Sequence, residues 1–449
     1  MRISGRMASR AWGSTCGWIS TILNRIGSPQ ESWLGHNLRA LIANLAAPTG
    51  AGAQIRRVNR AYILVGVAEA SFVPFLPIFL LERGFNAAQI GVVTSAAGLA
   101  SFIAAPVWAQ LADRTWRPER ALMFACAGAA AVVLVLAVPG SPLLVAAGLI
   151  ALWIARSPLG SLLDAIALHR LGAARATGYA RIRMRMSAGW AASAILLGGL
   201  LQVTGYRLIP FLYAPLIAVF AIWAWRSIGE GMPQAAAPVA RPRSGLTELR
   251  GAVAALSGFL VSVFLLGIAF GATGNYITLQ IDFFGGGAIL IGAAAAFQAF
   301  TEVPTMAYMH VLVARFGTRR LYALGCAIYV GVFVSWAFVT SPLWIALLRL
   351  VCGLGFGFIA VAAVVIADEL IPTHLRATGQ ALVKSTMFGL APIVGTLGGG
   401  FVYSAIGPAT LFVASAVLAA AAGVVGLTAV ARRSVAIESP PLVEAPAEA

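Results

Sequence analysis

The chain is written twice. Landmarks of its first half recur in the second at one offset of 201 positions: Gly91 as Gly292, Arg114 as Arg315, Arg175-Ala176-Thr177-Gly178 as Arg376-Ala377-Thr378-Gly379, and Gly198-Gly199 as Gly399-Gly400. A register held over that distance requires two homologous halves. Each half consists of long apolar runs separated by short polar turns, so the repeated unit is a bundle of membrane-spanning helices rather than a soluble solenoid module. Duplicated helical bundles in lipid are the usual build of a transporter.

Composition agrees. Of the 449 residues 60% are hydrophobic and 10% charged, with a mean hydropathy of +0.89, whereas a soluble domain carries about 25% charged residues. Runs of about 20 apolar residues occur twelve times, six per half, at about 58–82, 88–112, 120–138, 142–168, 180–203 and 208–227, then 251–280, 288–314, 320–340, 342–367, 375–403 and 407–430. The fold expected is an all-α membrane protein of two homologous six-helix bundles. They occupy 56–228 and 250–431, joined by a polar cytoplasmic linker at 229–249 that holds Pro233, Pro238 and Pro242, and followed by a cytoplasmic tail at 432–449. The net charge of +16 does not point to nucleic acid, because the arginines cluster in turns between apolar spans, with no basic soluble module beside them.

Those arginines orient the chain. One side collects Arg56, Arg57, Arg60, Arg114, Arg117, Arg120, Arg170, Arg175, Arg181, Arg183, Arg185, Arg241, Arg243, Arg315, Arg319, Arg320, Arg432 and Arg433, while the other shows Arg83 and Arg207. The positive-inside rule makes the crowded side cytoplasmic, so both termini and the linker face the cytoplasm. Residues 1–55 carry five arginines against Glu31 and no run long enough to span. An amphipathic surface segment, a targeting peptide and an over-long gene model starting near Arg56 compete here; disorder or a start-site error is the reading preferred. Cys16, Cys126, Cys326 and Cys352 have neither metal nor redox spacing.

The turn after the second span carries a specific motif. Leu111-Ala112-Asp113-Arg114-Thr115-Trp116-Arg117, followed by Arg120, resembles the loop of the major facilitator superfamily that links helices two and three, with Ala109 and Trp116 at its glycine positions. The second copy, Leu312-Val313-Ala314-Arg315-Phe316-Gly317-Thr318-Arg319-Arg320, keeps the basic residues and one glycine but has Ala314 where Asp113 stands. Leu162-Leu163-Asp164-Ala165, Arg181-Ile182-Arg183 with Ser187, and Glu302-Val303-Pro304 are similar to the branch containing phenylpropionate permeases, more distantly to lactose permease-type sugar–proton symporters. The resemblance covers about 58–430 and implies a monomeric multi-pass protein of a bacterial inner membrane. In that superfamily helices three, six, nine and twelve are peripheral, and helices one, four, seven and ten line a central cavity.

An ionised group at mid-bilayer costs at least about 2.5–3.5 kcal/mol unless it faces protein or water. Glu69, Arg156, Glu302, Arg349 and Lys384, the only lysine, lie within spans one, four, eight, ten and eleven. They form the expected cavity set, with Asn275, Gln280, Gln298 and Thr301 as hydrogen-bonding residues and Trp153, Phe356, Phe72, Phe75 and Tyr276 as ring-stacking candidates. Three positives against two negatives leave one positive charge for an anion to neutralise. The mechanism expected is proton-coupled import, with the proton on Glu302 and a carboxylate or hydroxyl-rich solute on Arg156 or Arg349. Static pairing of Glu69 with Arg156, and of Glu302 with Lys384, is the competing structural reading.

The gate set comprises Asp113, Arg114, Arg117, Asp164, Arg181, Arg183, Arg315 and Arg376. Asp113 is expected to meet the N-terminus of helix eleven near Thr373, a contact worth about 0.3–1 kcal/mol, while Asp164 pairs with Arg181 or Arg183. For Arg117, Arg319 and Arg320 simple topology anchoring competes. The partners expected are a small-molecule substrate, protons and the lipid bilayer, with no cofactor, metal or nucleic acid. The only lysine lies in Gly379-Gln380-Ala381-Leu382-Val383-Lys384-Ser385, which lacks the second glycine of a phosphate loop, and no nucleophile sits beside a base, which excludes an ATP-driven pump and an enzyme. Efflux of small hydrophobic compounds and a non-transporting sensor on the same fold remain as alternatives.

Overall fold

The computed structural model describes residues 53–114, 118–138, 140–171, 175–228, 246–372 and 375–438. Almost all of the N-terminal extension and most of the linker and tail lie outside the described residues. Twelve apolar spans cross the described part: α1 (Ile55–Glu82), α2 (Ala87–Ala112), α3 (Pro118–Val135), α4 (Pro142–His169), α5 (Ile182–Thr204), α6 (Tyr206–Arg226), α7 (Arg250–Phe283), α8 (Gly287–Phe316), α9 (Thr318–Phe338), α10 (Pro342–Leu370), α11 (Thr378–Ala405) and α12 (Pro408–Ala429). No strand occurs among the described residues. Leu196, Phe401, Val417 and Val424 stand exposed on the outside, a surface that water would penalise and lipid covers, with the backbone polar groups satisfied inside the helices. The chain is an integral multi-pass membrane protein.

The duplication is visible in the packing. In the first half α1 packs on α5 and α6, α2 on α4, and α3 on α4 and α6; in the second, α7 packs on α11 and α12, α8 on α10, and α9 on α10 and α12. Each half repeats the other with the helix number raised by six. The halves meet through α2 against α11 and through α5 against α8, two seams that the same exchange interconverts.

The repeated glycines make those seams. A Cβ added to Gly91 would lie 2.8 Å from the Thr396 carbonyl oxygen and 3.1 Å from the Gly400 Cα; one added to Gly292 would lie 2.0 Å from the Ala194 carbonyl oxygen and 3.4 Å from the Gly198 Cα. Only a residue without a Cβ lets the backbones approach so closely. Polar contacts follow the same line: Ser95 donates to the Ile393 carbonyl at 2.9 Å, and the Ile289 N–H donates to Gln202 Oε1 at 3.3 Å. The residues involved occupy the start of α2 and α8 and the later parts of α5 and α11, so the halves close on each other at the end away from the arginine-rich turns.

Several spans are interrupted. α1 tightens to a 3-10 turn at Val73–Phe75 around Pro74, and α4 bends at Ser157 and Pro158, each proline removing a backbone donor. α7 breaks at Asn275, and α11 carries a five-residue π-helix at Thr386–Leu390 just before Pro392, a feature that marks functional sites more often than chance. Pro106, Pro215 and Pro304 sit within continuous helix. Gly317, the glycine kept in the second loop copy, turns α8 into α9 with φ of 80°, which a residue bearing a Cβ adopts only at a cost.

Candidate functional site

Between the halves, from mid-height toward the arginine-rich end, lies a cavity of about 790 Å³ walled by α5, α8, α10 and α11. Its size suits a small organic solute. α8 supplies Gln298 and Glu302, one helical turn apart on one face, α10 supplies Arg349 and Phe356, and α11 supplies Gln380 and Lys384. From the other half α5 contributes Arg183 and Trp190, and the helical turn just before it contributes Tyr179. Gln298 is within hydrogen-bonding reach of the Glu302 carboxyl, and Arg349 and Arg183 both act on it electrostatically. Thr301, next to Glu302, donates to the Leu350 carbonyl at 2.6 Å and so ties α8 to α10 beside Arg349.

Of the expected cavity residues Glu302, Arg349, Lys384 and Gln298 stand in this wall. The others do not. Glu69 and Arg156 face each other inside the first half, Arg156 donating to Glu69 Oε2, Tyr213 donating to Glu69 Oε1 at 3.2 Å, and the guanidinium lying 4.6 Å from the Trp153 ring centre. The two side chains are spent on each other, and neither is among the residues that line the cavity. Asn275 and Tyr276 belong to the closed end: Asn275 donates to Thr94 at 3.1 Å, while the fully buried Tyr276 donates to the Thr396 carbonyl at 3.0 Å and stacks on Tyr403. Of the ring candidates only Phe356 lines the cavity; Phe72 packs on Trp153 and Tyr213, and Phe75 on Tyr206.

The pair Glu69–Arg156 is expected to matter for stability. Removing one partner of a buried ion pair strands the other charge at about 3–5 kcal/mol, whereas replacing both by apolar groups of similar volume is close to neutral. Arg156→Met should lower the unfolding temperature of the purified protein markedly, and Arg156→Met with Glu69→Leu should restore most of it. Equal melting of wild type and Arg156→Met would show that the pair contributes nothing.

The gate residues divide similarly. Asp164 accepts from Tyr62 at 2.5 Å and lies 3.7 Å from Arg183, with Tyr179 also within reach. This joins α1, α4 and α5 and sets Arg183 in the cavity wall. Arg376 pairs with Asp368 at 3.2 Å across the turn from α10 to α11, and Arg315 lies 5.4 Å from the Phe316 ring centre. Arg117, Thr373 and the side chains of Asp113, Arg114 and Arg181 lie outside the described residues, and with them the contact expected between Asp113 and helix eleven. Among the described residues no cluster of three His, Cys, Asp or Glu side chains is placed to hold a metal ion.

One relation passed unnoticed in the sequence although the signal was there. The 201-residue offset also carries Arg183 onto Lys384, and both line the cavity from opposite halves. The sequence reading sets Arg183 in the gate beside Asp164 and Lys384 in the cavity, which separates two positions that the repeat makes equivalent.

Twelve apolar helices in two equivalent bundles, with a charged cavity between them, are the build of a membrane transporter. Residues 56–414 match the MFS_1 like family, and the chain belongs to it, within the major facilitator superfamily. Among curated relatives it is 29% identical over 344 residues to a maltose permease of Geobacillus stearothermophilus, covering 76% of this chain and 85% of that one. It is 27% identical over 305 residues to the multidrug resistance protein MdtG of Yersinia enterocolitica, covering 65% and 72%. In fold it is similar to the nucleoside transporter NupG, with TM-scores of 0.70–0.71 at 18% identity over 84–85% of this chain and 99% of that one. It is also similar to the POT family transporter PepTSo, with a TM-score of 0.67 at 12% identity over 86% and 99%.

Proposed function

We propose that the chain is a secondary active transporter that imports a small organic solute with protons by alternating access, from the inner membrane of a bacterium. The observation that carries this reading is Glu302, a carboxylate set in the cavity wall beside Gln298 and in the field of two arginines. A carboxyl group so placed can take up a proton when the cavity faces one side and release it to the other. The arginine-rich turns orient the cavity to the cytoplasm, and the tight glycine seams close the opposite end, so the conformation is inward-facing. Rocking of one half on the other about the α2–α11 and α5–α8 seams would expose the cavity to the other side. The solute classes that fit by size are an organic acid, a sugar or a nucleoside. Each chain encloses its own cavity, so a monomer suffices.

Efflux of small hydrophobic compounds is the second reading. It is favoured by the relative named for multidrug resistance and by the apolar part of the wall, where Met184, Met186, Met306 and Met387 offer adaptable contacts.

Purified protein in vesicles with a trapped pH dye decides between them. A proton-coupled importer should move protons with the solute when one class among aromatic carboxylates, sugars, nucleosides and short organic acids is added. Silence across the panel from protein shown to be folded would overturn the import reading, and a drug-sensitivity change on deletion would put efflux in its place.

A further inference from the structure

Arg183 and Lys384 are related by the 201-residue offset, and α5 and α11 are equivalent helices of the two halves. A pair of cations therefore faces one cavity from two-fold-related positions. Neither is firmly neutralised. Arg183 holds Asp164 only at 3.7 Å, with half of its side chain exposed. Among the described residues ion pairs join Arg156 to Glu69, Arg183 to Asp164 and Arg376 to Asp368, and none reaches Lys384, which is exposed within a membrane-spanning helix. Arg349 adds a third cation and Glu302 the opposing charge. Three positives against Glu302 and Asp164 leave one positive charge, and a proton on Glu302 leaves two.

Cations that face one cavity without a full set of counter-charges create a positive field that draws an anion into it. Away from the charges the wall is largely apolar, with Met184, Met306, Met387, Phe356 and Phe388. A neutral polyhydroxylated solute would leave hydroxyls without partners against such a surface.

We infer that the solute is an organic anion, its acidic group gripped between Arg183 of one half and Lys384 of the other and its apolar body lying on the methionine and phenylalanine side chains. This rests on the transport reading above and names its substrate class. One anion on both cations replaces their mutual repulsion by a bridge between the halves, so binding itself favours closing the open end. A proton on Glu302 removes the one negative charge that would repel the anion from Arg349, which ties solute binding to proton binding.

The test is thermal unfolding of the full-length protein in detergent with matched solutes: benzoate against benzyl alcohol, glycerol 3-phosphate against glycerol, and succinate and maltose. At least one anion should raise the unfolding temperature while its neutral counterpart does not. Its apparent Kd should rise about tenfold or more in Arg183→Gln and in Lys384→Gln, the loss expected of one charge-assisted hydrogen bond. Exchange of the two cations, Arg183→Lys with Lys384→Arg, should keep most of the response. Lys384 is exposed, so Lys384→Gln should melt like the wild type without solute. Protection by maltose that is the same in Lys384→Gln, or no anion response from folded wild type, overturns the grip. Proton flux separates the two proposals: flux driven by a neutral solute keeps transport and rejects the grip, whereas anion protection without flux keeps the grip and rejects proton coupling.

Discussion

Glu302→Gln is expected to abolish uphill accumulation of solute while leaving solute exchange across the membrane intact. Glutamine keeps the size of the side chain and its reach to Gln298 but cannot take up or release a proton. The cavity keeps Arg349, Arg183 and Lys384 in place, so solute still binds and the halves can still rock with solute aboard. What is lost is the link to the proton gradient. One proton per solute is worth about 1.4 kcal/mol for each pH unit, a tenfold accumulation. The wild type should therefore concentrate solute about tenfold per unit of gradient and the variant not at all. Counterflow of labelled solute in vesicles loaded with unlabelled solute should run at a comparable rate in both. Unchanged accumulation would remove Glu302 from the coupling mechanism, whereas loss of counterflow as well would make it a binding or folding residue.

The helices were legible in the sequence for a physical reason. A span must supply about 20 apolar residues, and turns at the bilayer surface must be short and polar, so the ends read from the sequence fall within about three residues of those in the structure. The duplication was legible because the seams leave glycine no substitute at Gly91, Gly198, Gly292 and Gly400. Which way a side chain points was harder. Adjacent positions on a helix differ by about 100° around the axis, and neither α1 nor α4 carries a polar stripe long enough to fix its rotation, so Glu69 and Arg156 looked as accessible as Glu302. Their pairing with each other had been weighed only as a competing reading. Tyr276 and Asn275 were misplaced for a different reason: the break in α7 contains no proline, and the residues at it serve the closed seam through Thr94, Thr396 and Tyr403. The π-helix of α11 left no mark in the sequence beyond the proline that follows it.

Gly292→Val should trap the protein with its closed end open. The Cβ alone would come 2.0 Å from the Ala194 carbonyl oxygen and 2.8 Å from its carbonyl carbon, and backbone atoms cannot step aside as a flexible side chain can. Overpacking of this kind costs about 1–3 kcal/mol. With the seam closed that penalty is imposed by contact between the halves, so opening the seam relieves it without unfolding either bundle. A bias of that size shifts the balance between two states by about 5- to 150-fold. Ser95, buried at the neighbouring seam, offers the readout: with the native cysteines replaced by serine, Ser95→Cys should react slowly with a membrane-impermeant maleimide. Adding Gly292→Val should accelerate that reaction by about the same factor as the population shift and stop transport, while solute binding measured from the opened side persists. Gly251, where a Cβ would meet nothing within 4 Å, supplies the control, since Gly251→Val should alter neither. If Gly292→Val left Ser95→Cys as slow as before yet stopped transport, the seam would be fixed structure rather than a moving contact, and rocking about it would have to be abandoned.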